Sequence, residues 1–450
     1  MQREDGGRRG VWAVVLAFLV VSFLSAPGAA AVKPRTVLIF PYQTSLDRDE
    51  QWLGEAVPQI LSTALAQHPA FIQVDRARLA RLGERYLDSE AGVLSATRTL
   101  KADLAFFGEI RRLSGDLVIR PRYLEARSGA EGVAQEVVTV PPDRLLEQLS
   151  VIPLSYFRAL RVPLSEAETA RIEKASRPTS SPRAFEAFVK GQIAAVRGTQ
   201  AGYEVAIDLL SKAVELDPNF VVAQYALGVV HQALGNRWKA AAQFRASTQL
   251  DPTYPEPFKA LGDLFLAAPR RLFDQAVEAY QKALELRPFY ADAHVGLGDA
   301  KAAKGDVDGA VAAYQRALVY NSVNPKVHLS LGRIYYSEKG LYYEAVAAFK
   351  KAIELDPEFL EARMGLGEVY EDKGLYQDAI AEYRKVVEVD ARHTGALYNL
   401  ALVYEKVDRR EAISHWERYI AVASQIPSER DWVDVARQHL NKLKSQLDNP

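Results

Sequence analysis

The chain of 450 residues contains no cysteine. Disulfide bonds, cysteine nucleophiles, cysteine-ligated zinc, thiolate-bound iron–sulfur clusters and lipid anchors on an N-terminal cysteine are therefore excluded. An excess of charge of either sign is also lacking, because 56 Lys and Arg residues stand against 57 Asp and Glu residues. This balance argues against a nucleic-acid-binding protein that is held by a global basic field.

Long apolar runs are scarce as well. Residues 11–24 form an apolar run of 14 residues, which is short of the ~20 residues that a helix needs to cross a bilayer. Basic residues precede this run and small residues follow it, namely Arg3, Arg8 and Arg9 before it and Ala29, Ala30 and Ala31 after it. The order is typical of a secretory signal peptide. We therefore expect residues 1–31 to be a cleaved signal and the mature protein to be periplasmic or otherwise exported, not a lipoprotein; a retained membrane anchor is the alternative.

The composition changes near residue 180, since residues 33–180 hold three lysines and residues 181–450 hold 16. Over the first of these regions, apolar runs of strand length alternate with segments of helical periodicity. The predicted strands are residues 36–40, 71–74, 104–110, 117–124 and 133–140, and the predicted helices are residues 52–66, 76–86, 91–100 and 145–160. Residues 32–163 are thus predicted to form a small α/β domain.

This domain resembles the amino-terminal α/β domain of the periplasmic translocation protein TolB, which is also seen in the flagellar protein FlgO. Four segments carry the resemblance: Thr-Val-Leu-Ile-Phe-Pro at 36–41, Trp-Leu-Gly-Glu-Ala at 52–56, Lys-Ala-Asp-Leu-Ala-Phe-Phe-Gly-Glu-Ile at 101–110, and Leu-Val-Ile-Arg-Pro-Arg-Tyr-Leu-Glu-Ala at 117–126. The resemblance implies a domain that docks on partners and has no catalytic residues. No β-propeller follows in this sequence, so a role in the Tol system is not implied.

A short helix and a linker are predicted over residues 164–182. Ser165-Glu-Ala-Glu168 has the spacing of a capping box, and the proline- and serine-containing stretch at 176–182 is typical of a linker.

From residue 183 onward the chain repeats itself with a period near 34 residues. A Leu-Gly pair recurs at Leu227-Gly228, Leu261-Gly262, Leu297-Gly298, Leu331-Gly332 and Leu366-Gly367. An alanine and then an aromatic residue follow each pair, the aromatics being Phe244, Tyr280, Tyr314, Phe349, Tyr383 and, in a last unit, Trp416. Small residues let two helices, A and B, approach closely, and the aromatic fills the space between neighbouring units.

This signature is similar to that of the tetratricopeptide repeat (TPR) family. The predicted units are 221–254, 255–290, 291–324, 325–359, 360–393 and 394–423, after an irregular first unit at 183–220. Residues 424–450 are predicted to hold a capping helix, which a repeat stack needs to cover its last apolar face. The predicted fold class is therefore α+β and multidomain, with a small α/β domain followed by an all-α TPR superhelical solenoid.

The sequence predicts no enzyme, no cofactor and no metal site. Gly296-Leu-Gly298 and Gly365-Leu-Gly367 fall inside repeat helices without a preceding strand, so nucleotide-binding loops are not expected there. His294 and His328 occupy the same position in successive repeats. A metal pair is one interpretation of this spacing, and packing is the favoured one.

The resemblance to TPR proteins implies a partner-binding groove, because in that family helix A lines the concave face. The implied groove residues are Tyr225, Lys259, Asp263, Val295, Asp299, Leu329, Arg333, Tyr336, Met364, Glu368, Glu371, Tyr398 and Glu405. They combine apolar contact points with an acidic stripe. A solvated helix face is the alternative interpretation, because charged faces are common. The Lys and Asn series that would clamp an acidic carboxyl terminus is absent.

The leading hypothesis is an exported, non-enzymatic scaffold or adaptor that binds a peptide or protein partner in the groove, with a basic and apolar segment as the expected ligand. Nucleic acid is not an expected partner, and no membrane span is expected after signal cleavage. Two alternatives stay open: an accessory subunit of an envelope enzyme or carbohydrate-related system, and a small-ligand-binding α/β domain with a TPR oligomerisation module.

The signal peptide predicts where the mature protein starts. Amino-terminal sequencing of the native protein is expected to begin close to Val32, because the small residues that suit signal peptidase end at Ala31. Intact Met1 in a carbonate-resistant membrane fraction would contradict this prediction and favour a retained anchor.

Overall fold

A computed structural model describes residues 34–448, except 75–77, 80–81, 83–88, 136–137 and 142–143. In the first part of the described chain, strands and helices are β1 (Arg35–Ile39), β2 (Gln43–Thr44), α1 (Leu53–Leu65), β3 (Phe71–Gln73), α2 (Glu90–Thr99), β4 (Leu104–Leu113), β5 (Asp116–Glu125), β6 (Glu131–Val133), β7 (Val138–Val140), α3 (Leu145–Leu149) and α4 (Ile152–Ala159).

The strands form one mixed sheet with the order β3-β1-β4-β5-β6, in which β2 pairs with β4 and β7 pairs with β5. Strand β1 is parallel to both of its neighbours, whereas β4 and β5 form a long antiparallel hairpin. Successive side chains of a strand point to opposite faces of the sheet. Accordingly, Val37 and Phe106 pack in the core with α1 and α4, while Leu38 and Phe107 pack in the smaller core on the α2 side.

Two predicted elements are each divided in the structure. The predicted strand 133–140 is two strands, β6 and β7, which pair with β5 on either side of Pro121. Proline lacks the N–H that a continuous ladder would need at this point. The predicted helix 145–160 is also two helices, because Pro153 has no N–H to donate to the carbonyl four residues earlier. The predicted helix 76–86 falls mostly outside the described residues.

The rest of the chain is helical. The helices are α5 (Glu166–Ser176), α6 (Pro182–Val196), α7 (Gln200–Leu216), α8 (Val221–Ala233), α9 (Arg237–Leu250), α10 (Pro255–Leu266), α11 (Phe273–Leu286), α12 (Ala291–Ala303), α13 (Val307–Tyr320), α14 (Pro325–Ser337), α15 (Tyr342–Leu355), α16 (Leu360–Asp372), α17 (Tyr376–Val389), α18 (Thr394–Val407), α19 (Arg409–Ala423) and α20 (Arg430–Asp448). From α6 to α19 they pack as successive pairs. Among the helices described, none is long and apolar enough to cross a membrane.

A contact between glycine and an aromatic ring joins the two helices in five of the pairs. A Cβ added at Gly298 of α12 would lie 2.6 Å from the ring of Tyr314 in α13. The same close approach joins Gly228 to Phe244, Gly262 to Tyr280, Gly332 to Phe349 and Gly367 to Tyr383. The ring of Tyr280 also lies against Gly296 of the following pair, where an added Cβ would be 2.3 Å away. Phe349 lies against Gly365 of the following pair in the same way, so these two aromatics fill the space between neighbouring units, as the sequence predicts.

One apolar core runs from the sheet into the first helical pairs. The core that contains Val37 of β1 and Phe157 of α4 also contains Phe185 of α6 and Phe220 at the start of α8. The Trp52 and Phe185 rings meet edge to face with centroids 6.3 Å apart. The described residues from 34 to 448 accordingly belong to one compact unit.

Helix α5 and the segment after it lie within this unit. The segment makes hydrogen bonds both to the α/β part and to the helical pairs. Ile172 of α5 is fully buried. Beyond α5, the Arg177 Nε donates to the Ser150 Oγ at 3.1 Å, and the Thr179 Oγ1 donates to Asp217 at 2.5 Å. The segment predicted as a linker thus connects two parts that pack against each other.

The glycine contact makes a testable prediction about stability. Gly298→Leu is expected to destabilise the protein by ~1–3 kcal/mol or more, because the new side chain overlaps the buried Tyr314 ring. Ala303→Leu, an exposed change in the same helix, is the matched control and should change the free energy of unfolding by at most ~0.5 kcal/mol. Thermal unfolding of both variants measures the difference, and equal melting temperatures would contradict the packing described.

Candidate functional site

The candidate site is the face formed by the first helix of each pair, here called the A-helix face. It consists of the residues at positions 5, 9, 12 and 13 of the six units that start at residues 221, 255, 291, 325, 360 and 394. These residues lie on α8, α10, α12, α14, α16 and α18. Positions 5, 9 and 12 are separated by four and three residues, which places them on one side of a helix.

Two carboxylates of this face are held by tyrosines of the helical core. The Tyr280 Oη donates to the Asp263 Oδ1 at 2.8 Å, and the Tyr314 Oη donates to the Asp299 Oδ1 at 2.5 Å. Lys259 adds an ion pair to Asp263 with a distance of 2.7 Å. Because these carboxylates satisfy buried hydroxyl groups, they stabilise the helical pairs and are only partly free to meet a ligand.

The hydrogen bond between tyrosine and aspartate has a counterpart in the sequence, which the repeat motif alone does not show. Two of the three units with tyrosine in helix B, those of Tyr280 and Tyr314, have an aspartate at position 9 of helix A. Units with phenylalanine in helix B, Phe244 and Phe349, have Val229 and Arg333 at that position. A phenylalanine ring has no hydroxyl group to satisfy, so these units need no acceptor there.

In the last two units the carboxylate that accepts the hydrogen bond from helix B is at position 12 instead of position 9. The Tyr383 Oη donates to the Glu371 Oε2 at 3.2 Å. The Trp416 Nε1 donates to the Glu405 Oε1 at 2.7 Å, and the Nδ1 of His439 lies 2.8 Å from the same oxygen. One helical turn separates positions 9 and 12, so the same chemistry recurs with a shifted acceptor.

These surroundings change the acidity of the carboxylates. Burial raises the pKa of Asp299, the nearby Asp263 raises it further, and the hydrogen bond from Tyr314 opposes both effects. Burial likewise raises the pKa of Glu371, with a smaller contribution from Asp372, against the hydrogen bond from Tyr383. Asp299 and Glu371 therefore hold their protons up to a higher pH than solvent-exposed carboxyl groups do.

The exposed charges of the A-helix face lie on α14, α16 and α18. They are Arg333, Glu368, Asp372 and Lys406. Desolvation and then the neighbouring Glu371 and Asp372 raise the pKa of Glu368, whereas Arg333 lowers it. Lys406 lowers the pKa of Glu371 in the same way. Three carboxylates thus stand against two basic side chains in this part of the face.

Apolar and aromatic groups flank this acidic region. Leu329 is buried, and Met364 and Tyr398 are half-buried. The Tyr398 ring meets the rings of Trp416, Tyr419 and Trp432 edge to face, with centroid distances of 5.1, 5.3 and 5.6 Å. Trp432 belongs to α20, so the C-terminal helix contributes to this end of the A-helix face.

The other sequence features lie elsewhere. The Nε2 of His294 lies 2.9 Å from the carbonyl oxygen of Pro288, and its ring stacks on Tyr320. Within the described part of the chain, no group of three or more metal-ligating side chains is found. Gly296 and Gly365 lie inside helices against Tyr280 and Phe349.

The α/β part has a crevice of its own, with a volume of about 210 Å³, beside the end of β1 and the start of α2. Its charged lining residues include Glu90 and Arg122, which form an ion pair, and Arg122 also pairs with Glu131. The Arg122 guanidinium lies 5.0 Å from the centre of the Phe107 ring. Because Arg122 already has these partners, this crevice shows no clear preference for a ligand charge.

The family comparisons identify the repeats. A family model for the tetratricopeptide repeat matches four overlapping stretches, residues 260–325, 297–358, 329–392 and 365–409. The helical pairs over these residues are therefore tetratricopeptide repeats, in agreement with the sequence prediction. Repeats of this kind typically mediate protein–protein interactions, and no catalytic family is indicated.

Individual relatives share the repeats over limited lengths. The chain is 26% identical over 173 residues to human "Tetratricopeptide repeat protein 13", covering 37% of this chain and 20% of that protein. It is 33% identical over 99 residues to "Small glutamine-rich tetratricopeptide repeat-containing protein 2" of Mycosarcoma maydis, covering 22% of this chain and 28% of that protein. The solved structure of YrrB, described as a TPR protein with an unusual peptide-binding site, is 24% identical and covers 41% of this chain and 95% of its own, with a TM-score of 0.35.

The raised pKa of Asp299 predicts a pH-dependent effect of its removal. The folded protein binds this proton more tightly than the unfolded chain, whose pKa is near 3.8, so ionisation of Asp299 opposes folding as the pH rises above that value. Asp299→Asn is therefore expected to gain stability relative to the wild type as the pH rises from about 4 through the raised pKa of Asp299.

Urea unfolding of both proteins across this range measures the effect. Asp208→Asn, a change at an exposed position of α7, controls for the loss of a carboxylate. A stability difference between Asp299→Asn and the wild type that stays constant with pH would contradict the assignment.

Proposed function

We propose that this protein is an exported, non-enzymatic adaptor whose A-helix face binds a peptide segment of a protein partner. The expected segment carries Lys or Arg among apolar residues. We further propose that residues 32–163 are a docking domain of the TolB amino-terminal type, and that the repeats span residues 183–423 with a capping helix after them.

The observation that supports this proposal most directly is the grouping of side chains on α14, α16 and α18. Exposed Glu368 and Asp372 follow the half-buried Met364 at intervals of four residues on α16, and the half-buried Tyr398 lies on α18. Desolvation and then the neighbouring carboxylates of Glu371 and Asp372 raise the pKa of Glu368, whereas Arg333 lowers it. A basic side chain placed here would relieve repulsion among the carboxylates, while apolar neighbours of the partner would contact Met364 and Tyr398. Export is supported by the order of basic, apolar and small residues at the N-terminus.

The acidic region predicts salt-sensitive binding. A random 12-residue peptide library selected on the immobilised protein provides the probe, and fluorescence anisotropy measures the affinity of the enriched peptides. We expect these peptides to contain Lys or Arg and their affinity to fall as salt rises, because screening acts over ~10 Å at 0.1 M salt. Glu368→Lys should weaken binding about tenfold at low salt, equivalent to ~1.4 kcal/mol.

Glu388→Lys on α17 is the matched control, because it reverses the charge of an exposed glutamate outside the A-helix face. Its affinity for the same peptides should remain within about twofold of the wild type. Equal affinities of Glu368→Lys and the wild type, with no salt dependence, would place recognition away from this face.

A further inference from the structure

A second feature of the A-helix face lies at its beginning, where α1 of the α/β part meets the first two helical pairs. A crevice of about 310 Å³ opens there, lined by residues of α1, α6, α7 and α8. From α1 come Gln59 and Ser62, and from the helical pairs come Ala195, Val196, Tyr203 and Val229, among others. Every lining residue that the structure describes is uncharged.

The apolar lining of this crevice is unusually open to solvent. Val196 is 70% exposed and Val229 is 41% exposed, while the adjacent Val230 is buried in the core. Burial of such apolar surface by a partner is favourable, and exposed apolar positions that converge on a cavity are typical of binding surfaces. The crevice is built jointly by the α/β part and the repeats, so its shape depends on their packing through Trp52 and Phe185.

The crevice and the acidic part of the A-helix face are related by the repeat register. Val229 of the crevice occupies position 9 of its unit, and the next two units have Asp263 and Asp299 at that position. One turn before Val229 on α8, Tyr225 has its pKa raised by burial and then by the charges of Glu256 and Asp263. A segment that follows position 9 along the stack therefore passes from an uncharged crevice to carboxylates.

We propose that this crevice receives a bulky apolar side chain, of leucine or phenylalanine size, from the partner segment, and that basic residues of the same segment follow along the carboxylates. This inference rests on the proposed function and adds an anchor position to it. The uncharged lining excludes charge as the basis of recognition at this end, and the adjoining aspartates favour a segment whose charge is positive on one side of the anchor. The α/β part then helps to form the binding site through α1.

The test uses peptides enriched from the random 12-residue library on the full-length protein. They are expected to share one bulky apolar residue with Lys or Arg on one side of it. Val229→Asp should weaken their binding at least tenfold, because it places a carboxylate against the apolar anchor. Ala233→Phe, which fills the crevice without adding charge, should weaken binding in the same direction.

Val319→Asp is the matched control, since Val319 is 58% exposed on α13, outside the A-helix face. It should bind the peptides as the wild type does. Replacement of the anchor by alanine in the peptide should weaken binding to the wild type by about tenfold and have little further effect on Val229→Asp, since the two changes remove the same contact. Circular dichroism and melting temperatures confirm that the variants are folded.

The outcomes distinguish this inference from the function on which it rests. If Val229→Asp and Ala233→Phe bind like Val319→Asp while Glu368→Lys weakens binding, the anchor proposal is wrong and the proposed function stands. If enriched peptides lack a shared apolar residue, the anchor proposal is also wrong. If no peptide is enriched, or if none of these variants affects binding, both proposals fail.

Discussion

The close contact between a helix A glycine and a helix B aromatic ring is the constraint on which the repeat region depends. An added Cβ at Gly298 would meet the Tyr314 ring at 2.6 Å, and the equivalent pairs in four other units are equally tight. This contact brings the two helices together and sets the aromatic between successive units. It also directs the tyrosine hydroxyl toward helix A, where Asp263 and Asp299 accept its hydrogen bond. The A-helix face is thus partly a consequence of core packing.

The α/β part covers one end of the repeat stack, and α20 covers the other end. A stack of helical pairs leaves an apolar face at each end that must be covered. At the first end, the core of the sheet continues into α6 and α8 through residues such as Phe157 and Phe185. At the last end, Val433, Ala436 and Leu443 of α20 join the core of the final pairs. The docked α/β part covers apolar surface and also helps to form the crevice proposed as an anchor site.

Much of the fold could be predicted from the sequence, because a 34-residue period and recurring glycine and aromatic positions constrain the helical pairs strongly. The division of residues 133–140 into β6 and β7 does not follow from those residues, because Pro121 lies in the neighbouring strand β5. The break at Pro153 is hidden because helical periodicity continues across it. The packing of α1 on α6 could not be predicted, because contacts between residues as distant as Trp52 and Phe185 leave no periodic pattern. For the site, the residues of the A-helix face follow from the repeat register. That Asp299 accepts a hydrogen bond could be recognised only once the structure had placed the Tyr314 hydroxyl beside it.

The central claim is that a protein partner covers the A-helix face. Carboxyl footprinting tests it most directly, because carbodiimide labelling followed by mass spectrometry measures the accessibility of individual Asp and Glu side chains. The protein would be labelled alone and in complex with a partner recovered by crosslinking from the exported fraction. The account predicts that Glu368 and Asp372 lose labelling in the complex while Glu388 and Asp208, exposed on other helices, keep it. Unchanged labelling of Glu368 and Asp372 in the complex would contradict the account.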